Sequence, residues 1–195
     1  MSSPAPSQER NEARQRRGRF VTHLYGLHSK LESGSAYQVS EARRTLAQLR
    51  RSLSGPQAAA EAYATVFPFD PPHAEQQAWI LVAGLFALHP QARPAPNRDR
   101  QSRSLGRSMR TLADRRPSTE RRFDQLLAVD PPSMPYYLRQ AIRLLAAENV
   151  PLDYYRLLED LVTITDPRAD PERVHRVRLY WASDYHRPQS STPAA

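Results

Sequence analysis

The chain contains no cysteine in its 195 residues, which excludes a disulfide framework, a thiolate nucleophile and a cysteine-ligated zinc. Lysine is nearly missing too, because 27 of the 28 basic residues are arginine and Lys30 is the exception. Codon bias in a GC-rich genome would produce that skew, although the planar guanidinium also suits phosphate better than an ammonium does. Long apolar runs are lacking: the longest, "AWILVAGLFAL" at 78–88, is about half of what a bilayer-spanning helix requires. The polar start "MSSPAPSQERNEARQRRGRF" has no apolar segment of the kind a secretory signal needs. These absences point to a soluble, cytoplasmic protein without membrane contact.

Signatures of catalysis are also absent. There is no GxxxxGK followed by Ser or Thr, no GxGxxG, no HExxH and no GxSxG. The six histidines, His23, His28, His73, His89, His175 and His186, are scattered, and the closest pair is five residues apart, which does not align two ligands on one helical face. Glu159 and Asp160 could hold Mg²⁺, but adjacent side chains project about 100° apart on a helix, and such pairs more often solubilise one. The sequence therefore predicts no metal, no cofactor and no enzymatic activity.

What is present is helical periodicity, with no strand-type alternation. Phe20, Leu24, Leu27 and Leu31 mark a first helix, preceded by a stretch, 1–18, expected to be a disordered basic arm. Val39, Leu46, Leu49 and Leu53 mark a second, ended by Gly55-Pro56, and "QAAAEAYATVF" a short third. His73 to Leu88 is apolar on nearly all sides, as a buried central helix should be. The segment "HPQARPAPNRDRQSR" offers almost nothing to bury, and 90–103 reads as a mobile basic loop. Five more helices follow: one through Leu105, Met109 and Leu112; one capped by Ser118; one opened by Ser133 and Pro135; one through Leu152, Tyr155 and Leu158; and one capped by Asp170 with Pro171 at its first position. The expected fold is all-α, about nine helices in two packed bundles (19–89 and 104–186) with no β-sheet and a frayed tail at 187–195. Tyr136, Tyr137, Tyr154 and Tyr155 form adjacent pairs, so one of each pair should face outward; packing is the default reading, and base stacking the functional one.

Charge is distributed unevenly along this framework. The net charge of +8 divides into +6 over 1–54, −3 over 55–89, +7 over 90–122 and −2 over 123–195. At 100° per residue, Arg43 and Arg50 border the apolar face of the second helix, and Arg44 and Arg51 lie further round. Arg103, Arg107 and Arg110 recur at i, i+4, i+7 opposite Leu105, Met109 and Leu112, and Arg115, Arg116, Arg121 and Arg122 continue the basic surface. A solvated helical face normally mixes signs, whereas acids are scarce beside these arginines. The pattern predicts a surface for a polyanion, with two alternatives: a merely solvated face, or a helical adaptor whose basic surface meets an acidic protein.

Six segments, "LAQLRR", "LVAGLFALHP", "SLGRSM", "ERRFDQLL", "YLRQAIRLLAAENVPLDYYRLLEDL" and "VRLYWASDY", in this order and spacing from about Phe20 to Tyr185, resemble the small subunit of type I-E CRISPR interference complexes, the CasB family of Cascade. The chain departs from that family in having Ser183 where arginine is frequent and "VTIT" where a tryptophan is frequent. The resemblance implies a non-enzymatic helical subunit. Two copies would sit side by side against the backbone subunits that coat the CRISPR RNA and near the large subunit, supporting guide–target pairing and holding the displaced DNA strand of the R-loop. By motif position, Arg43, Arg44, Arg50, Arg51, Arg103, Arg107, Arg110, Arg121 and Arg122 would contact nucleic acid. Arg139 and Arg143, an i, i+4 pair in the more acidic half, would serve either nucleic acid or a protein contact.

Overall fold

The computed structural model describes residues 6–95 and 103–187. Among the described residues there are nine α-helices and no strand: α1 (Pro6–Leu31), α2 (Ala36–Arg51), α3 (Tyr63–Val66), α4 (Gln76–Leu88), α5 (Leu105–Arg115), α6 (Glu120–Ala128), α7 (Met134–Ala147), α8 (Tyr154–Thr165) and α9 (Pro171–His186). Short 3₁₀ turns at Ser52–Ser54, Pro56–Ala62, Phe67–Phe69, His73–Glu75 and Pro117–Thr119 join them. The all-helical expectation holds.

Helix α4 is the wall shared by both halves. Its residues 78–80 and 82–87 are buried, and it packs against α2 on one side and α7 and α8 on the other. The buried apolar side chains form one connected cluster from Phe20 to Tyr185. Tyr154, fully buried, fastens the halves: its hydroxyl lies 3.1 Å from the His89 carbonyl, and its amide donates to the Tyr25 hydroxyl at 3.1 Å. Two glycines set close approaches. A Cβ on Gly84 would stand 2.5 Å from the Leu53 side chain, and one on Gly106 would stand 2.1 Å from the Trp181 carbonyl oxygen. The second distance lets α9 lie directly against α5.

The N-terminal stretch differs from its expectation. Helix α1 begins at Pro6, so residues 6–18 are helical and not a disordered arm. The reason is ionic: Arg17 donates to Glu75 (2.9 Å from Nε) and Arg16 meets the Asp70 carboxylate at 2.8 Å. Glu75 also accepts from the Trp79 indole at 3.0 Å, so the anchor reaches the core.

The segment expected to be mobile is also partly anchored. His89 Nε2 lies 2.8 Å from the Val150 carbonyl, Gln91 Oε1 accepts from the Leu152 amide at 3.0 Å, and Pro94 is buried. Residues 96–102 of that loop, 1–5 of the arm and 188–195 of the tail lie outside the described residues. Ser118 is not the cap of α6: a 3₁₀ turn at Pro117–Thr119 precedes that helix, and the Thr119 hydroxyl donates back to the Arg116 carbonyl at 2.8 Å. Asp170 caps α9 as expected, accepting from the Glu172 amide at 3.0 Å.

Candidate nucleic-acid interface

Helix α2 positions its arginines by burying one face. Ser35 caps it, and Ala42, Leu46 and Leu49 are buried, which turns Arg44 and Arg51 almost directly outward and leaves Arg43 and Arg50 on the flank. All four are exposed. Arg43 and Arg44 have no partner among the described residues. Arg50 donates from Nε to the Ala87 carbonyl at 2.7 Å, and Arg51 pairs with Glu61 at 3.1 Å. Both retain donors, since a guanidinium carries five.

Helix α5 has the stricter arginine spacing and the less available arginines. Arg103, Arg107 and Arg110 are half-buried. Arg107 reaches the Arg187 carbonyl at 3.4 Å, at the end of α9, and Arg110 pairs with Asp114 at 3.0 Å and stands 6.0 Å from the centre of the Tyr185 ring. Arg103 is also engaged, and its carbonyl accepts from the Asp153 amide at 2.8 Å. The face opposite Leu105, Met109 and Leu112 is therefore partly covered by α9.

The remaining candidates divide in the same manner. Arg115 donates to the Glu148 carbonyl at 2.7 Å, and Arg116 pairs with the Glu148 carboxylate at 2.6 Å. Arg139 donates to the Leu53 carbonyl, which brings the end of α2 against α7. Arg121, Arg122 and Arg143 are exposed, and none has a partner among the described residues.

A common cause underlies these engagements. Carbonyls at helix C-termini lack intrahelical donors and carry the negative end of the helix dipole. Arginines bind them at the end of α4 (Arg50), after α2 (Arg139), after α7 (Arg115) and at the end of α6, where Arg178 meets the Leu127 and Val129 carbonyls at 3.1 and 2.6 Å. Charge balance adds to this. The three acids of the 55–89 segment, Glu61, Asp70 and Glu75, pair with Arg51, Arg16 and Arg17 of the first segment. Of the thirteen candidates, Arg43, Arg44, Arg121, Arg122 and Arg143 are left with exposed, uncommitted guanidinium groups among the described residues.

The arginine pattern passes over one neighbour of this set. Tyr37, on the outward face of α2, is 77% exposed, and its period-seven relation to Arg44 is a signal present in the sequence. The outward member of the first tyrosine pair is Tyr136, 55% exposed, with Tyr137 half-buried at its edge.

Glu159 and Asp160 are structural. Glu159 accepts from the Tyr155 hydroxyl at 3.0 Å, and Asp160 accepts from the Trp181 indole at 2.7 Å; burial pushes the Asp160 carboxyl up to about 6. Among the described residues no group of three or more His, Asp or Glu is arranged to hold a metal ion, and no helix is long and apolar enough to cross a membrane.

Comparison with known proteins places this geometry. Residues 45–186 match the CRISPR-associated protein Cse2 family. A CRISPR-associated protein Cse2 from Thermus thermophilus is 34% identical over 149 residues, covering 72% of this chain and 77% of the relative. The crystal structure of CasB from Thermus thermophilus superposes with a TM-score of 0.59 at 30% identity, over 84% of this chain and 96% of that one. A chain of a CRISPR RNA-guided surveillance complex shares the fold, with a TM-score of 0.63 at 21% identity over 90% and 93% of the two chains. The chain thus belongs to the Cse2 family of CRISPR-associated proteins, the family of CasB.

Proposed function

We propose that this protein is a non-catalytic subunit of a cytoplasmic CRISPR RNA-guided surveillance complex, and that it binds nucleic-acid backbone. Its partners in this reading are the CRISPR RNA and target DNA, the backbone and large subunits of the complex, and a second copy of itself. The observation that supports it is the set of exposed arginines without partners among the described residues, Arg43, Arg44, Arg121, Arg122 and Arg143, on a member of this family. R-loop formation exchanges one duplex for another of similar stability, so modest contacts to phosphate can tip it. Arginines aimed at phosphates supply such contacts without sequence choice. The other candidates are engaged within the fold, Arg50, Arg107, Arg115 and Arg139 on backbone carbonyls and Arg51, Arg110 and Arg116 on carboxylates.

The test is the fluorescence anisotropy of labelled single-stranded DNA across about 50 to 200 mM salt. Five phosphate contacts on a single strand give roughly a 100-fold loss of affinity over that range. Replacing the five arginines by glutamine in a protein that still folds should abolish most of it. Salt-insensitive binding, or none, would overturn the phosphate reading and favour an adaptor for an acidic protein.

A further inference from the structure

Two helices repeat one arrangement. On α2, Tyr37 precedes Arg44 by seven residues; on α7, Tyr136 precedes Arg143 by seven. Seven residues are two turns, so each tyrosine and its arginine share a face about 10.5 Å apart along the axis. In both helices that face is opposite the buried one: Ala42, Leu46 and Leu49 on α2, and Leu138, Ile142 and Leu145 on α7. The rings are among the most exposed large side chains described, at 77% for Tyr37 and 55% for Tyr136. Both arginines lack partners among the described residues. The one acid of α2, Glu41, lies on its flank and is held by Lys30 at 3.0 Å. On α7, Tyr137 stands edge-on to Tyr136 with centroids 5.3 Å apart, which restrains the outer ring. The Arg139 bond to the Leu53 carbonyl ties α7 to the 3₁₀ turn that follows α2.

We propose that Tyr37 and Tyr136 are stacking platforms for unpaired bases, each working with the arginine two turns along, and that they make the outward faces of α2 and α7 prefer single-stranded nucleic acid to duplex. An exposed ring offers a face to any base, and a base is available for it only where the strand is unpaired. The arginine meets a neighbouring phosphate of the same strand. This rests on the proposed backbone binding, which supplies the electrostatic part, and adds a part that depends on bases.

The experiment separates the two. Affinities of the full chain are measured for oligo-thymidine, for an abasic strand of the same length that keeps every phosphate, and for a duplex. The wild type should bind oligo-thymidine at least about fivefold more tightly than the abasic strand, the lower end of what one base–aromatic stack provides. Tyr37→Ala and Tyr136→Ala should each reduce that preference, the double variant should abolish it, and all three should leave duplex and abasic affinities unchanged, while Tyr37→Phe restores it. In Tyr37→Trp the new indole should lose fluorescence on adding oligo-thymidine, since Trp79 and Trp181 are fully buried. Equal binding of abasic and thymidine strands, both salt-sensitive, would overturn the stacking proposal and leave the phosphate reading standing. Absence of salt-sensitive binding to any of the three would overturn both.

Discussion

Helices α2 and α5 carry comparable arginine strips and use them differently. On α2 the outward face meets solvent, and Arg43 and Arg44 are uncommitted among the described residues. On α5, whose arginine spacing is the more regular, α9 crosses so closely at Gly106 that the end of α9 reaches Arg107 and Tyr185 faces Arg110. The difference teaches that arginine periodicity reports a face kept out of the apolar core and does not report whether water or another helix's polar end covers it. A guanidinium satisfies a C-terminal carbonyl as readily as a phosphate.

The comparison is broken most severely at Gly106. Gly106→Ala would place a methyl group 2.1 Å from a backbone oxygen that cannot swing aside, so α9 must separate from α5, at a cost of about 3 kcal/mol or more. Thermal unfolding measures this. Gly84→Ala, whose nearest contact is the movable Leu53 side chain at 2.5 Å, should cost less, about 1–2 kcal/mol.

A second way to sharpen it uses Asp160, which holds Trp181 of α9 from beneath. Its carboxyl is raised from 3.8 to about 6, with burial the largest cause. A folded-state value above the unfolded one means that the contribution is fully present below about pH 4 and is lost as pH rises through 6. Asp160→Asn keeps an oxygen for the indole and removes the buried charge. It should stabilise the protein at pH 7.5 by on the order of 2 kcal/mol and have little effect at pH 4, as denaturant titrations at the two pH values would show.

The arginines themselves give the smallest stability effects. Arg110→Ala loses an exposed ion pair and a ring contact, about 0.5–1 kcal/mol, whereas Arg44→Ala should leave the melting temperature unchanged within error.

Helix class and core were legible from the sequence because burial imposes a strict period. Phe20, Leu24 and Leu27, or Leu46 and Leu49, announce a face by themselves. The helical state of residues 6–18 was not legible, because Arg16 and Arg17 are ordered by Asp70 and Glu75 some fifty residues away. The candidate interface was half legible. Spacing selects Arg43 and Arg44 together with Arg107 and Arg110, and what separates the pairs is the crossing of α9, set by the absence of a side chain at Gly106. Tyr37 escapes a search for charge or for paired tyrosines, because it stands alone in the first turn of α2 and only its outward register with Arg44 marks it.

The most direct measurement is the salt slope of single-stranded DNA affinity for three proteins: wild type, R43A/R44A on α2, and R107A/R110A on α5. Each phosphate contact on a single strand contributes about 0.7 to the slope of log K against log salt. We expect the α2 variant to lose about 1.4 from the wild-type slope and the α5 variant to keep it. Equal losses in both, or a loss in the α5 variant alone, would contradict the assignment of the interface to the arginines that the fold leaves uncommitted.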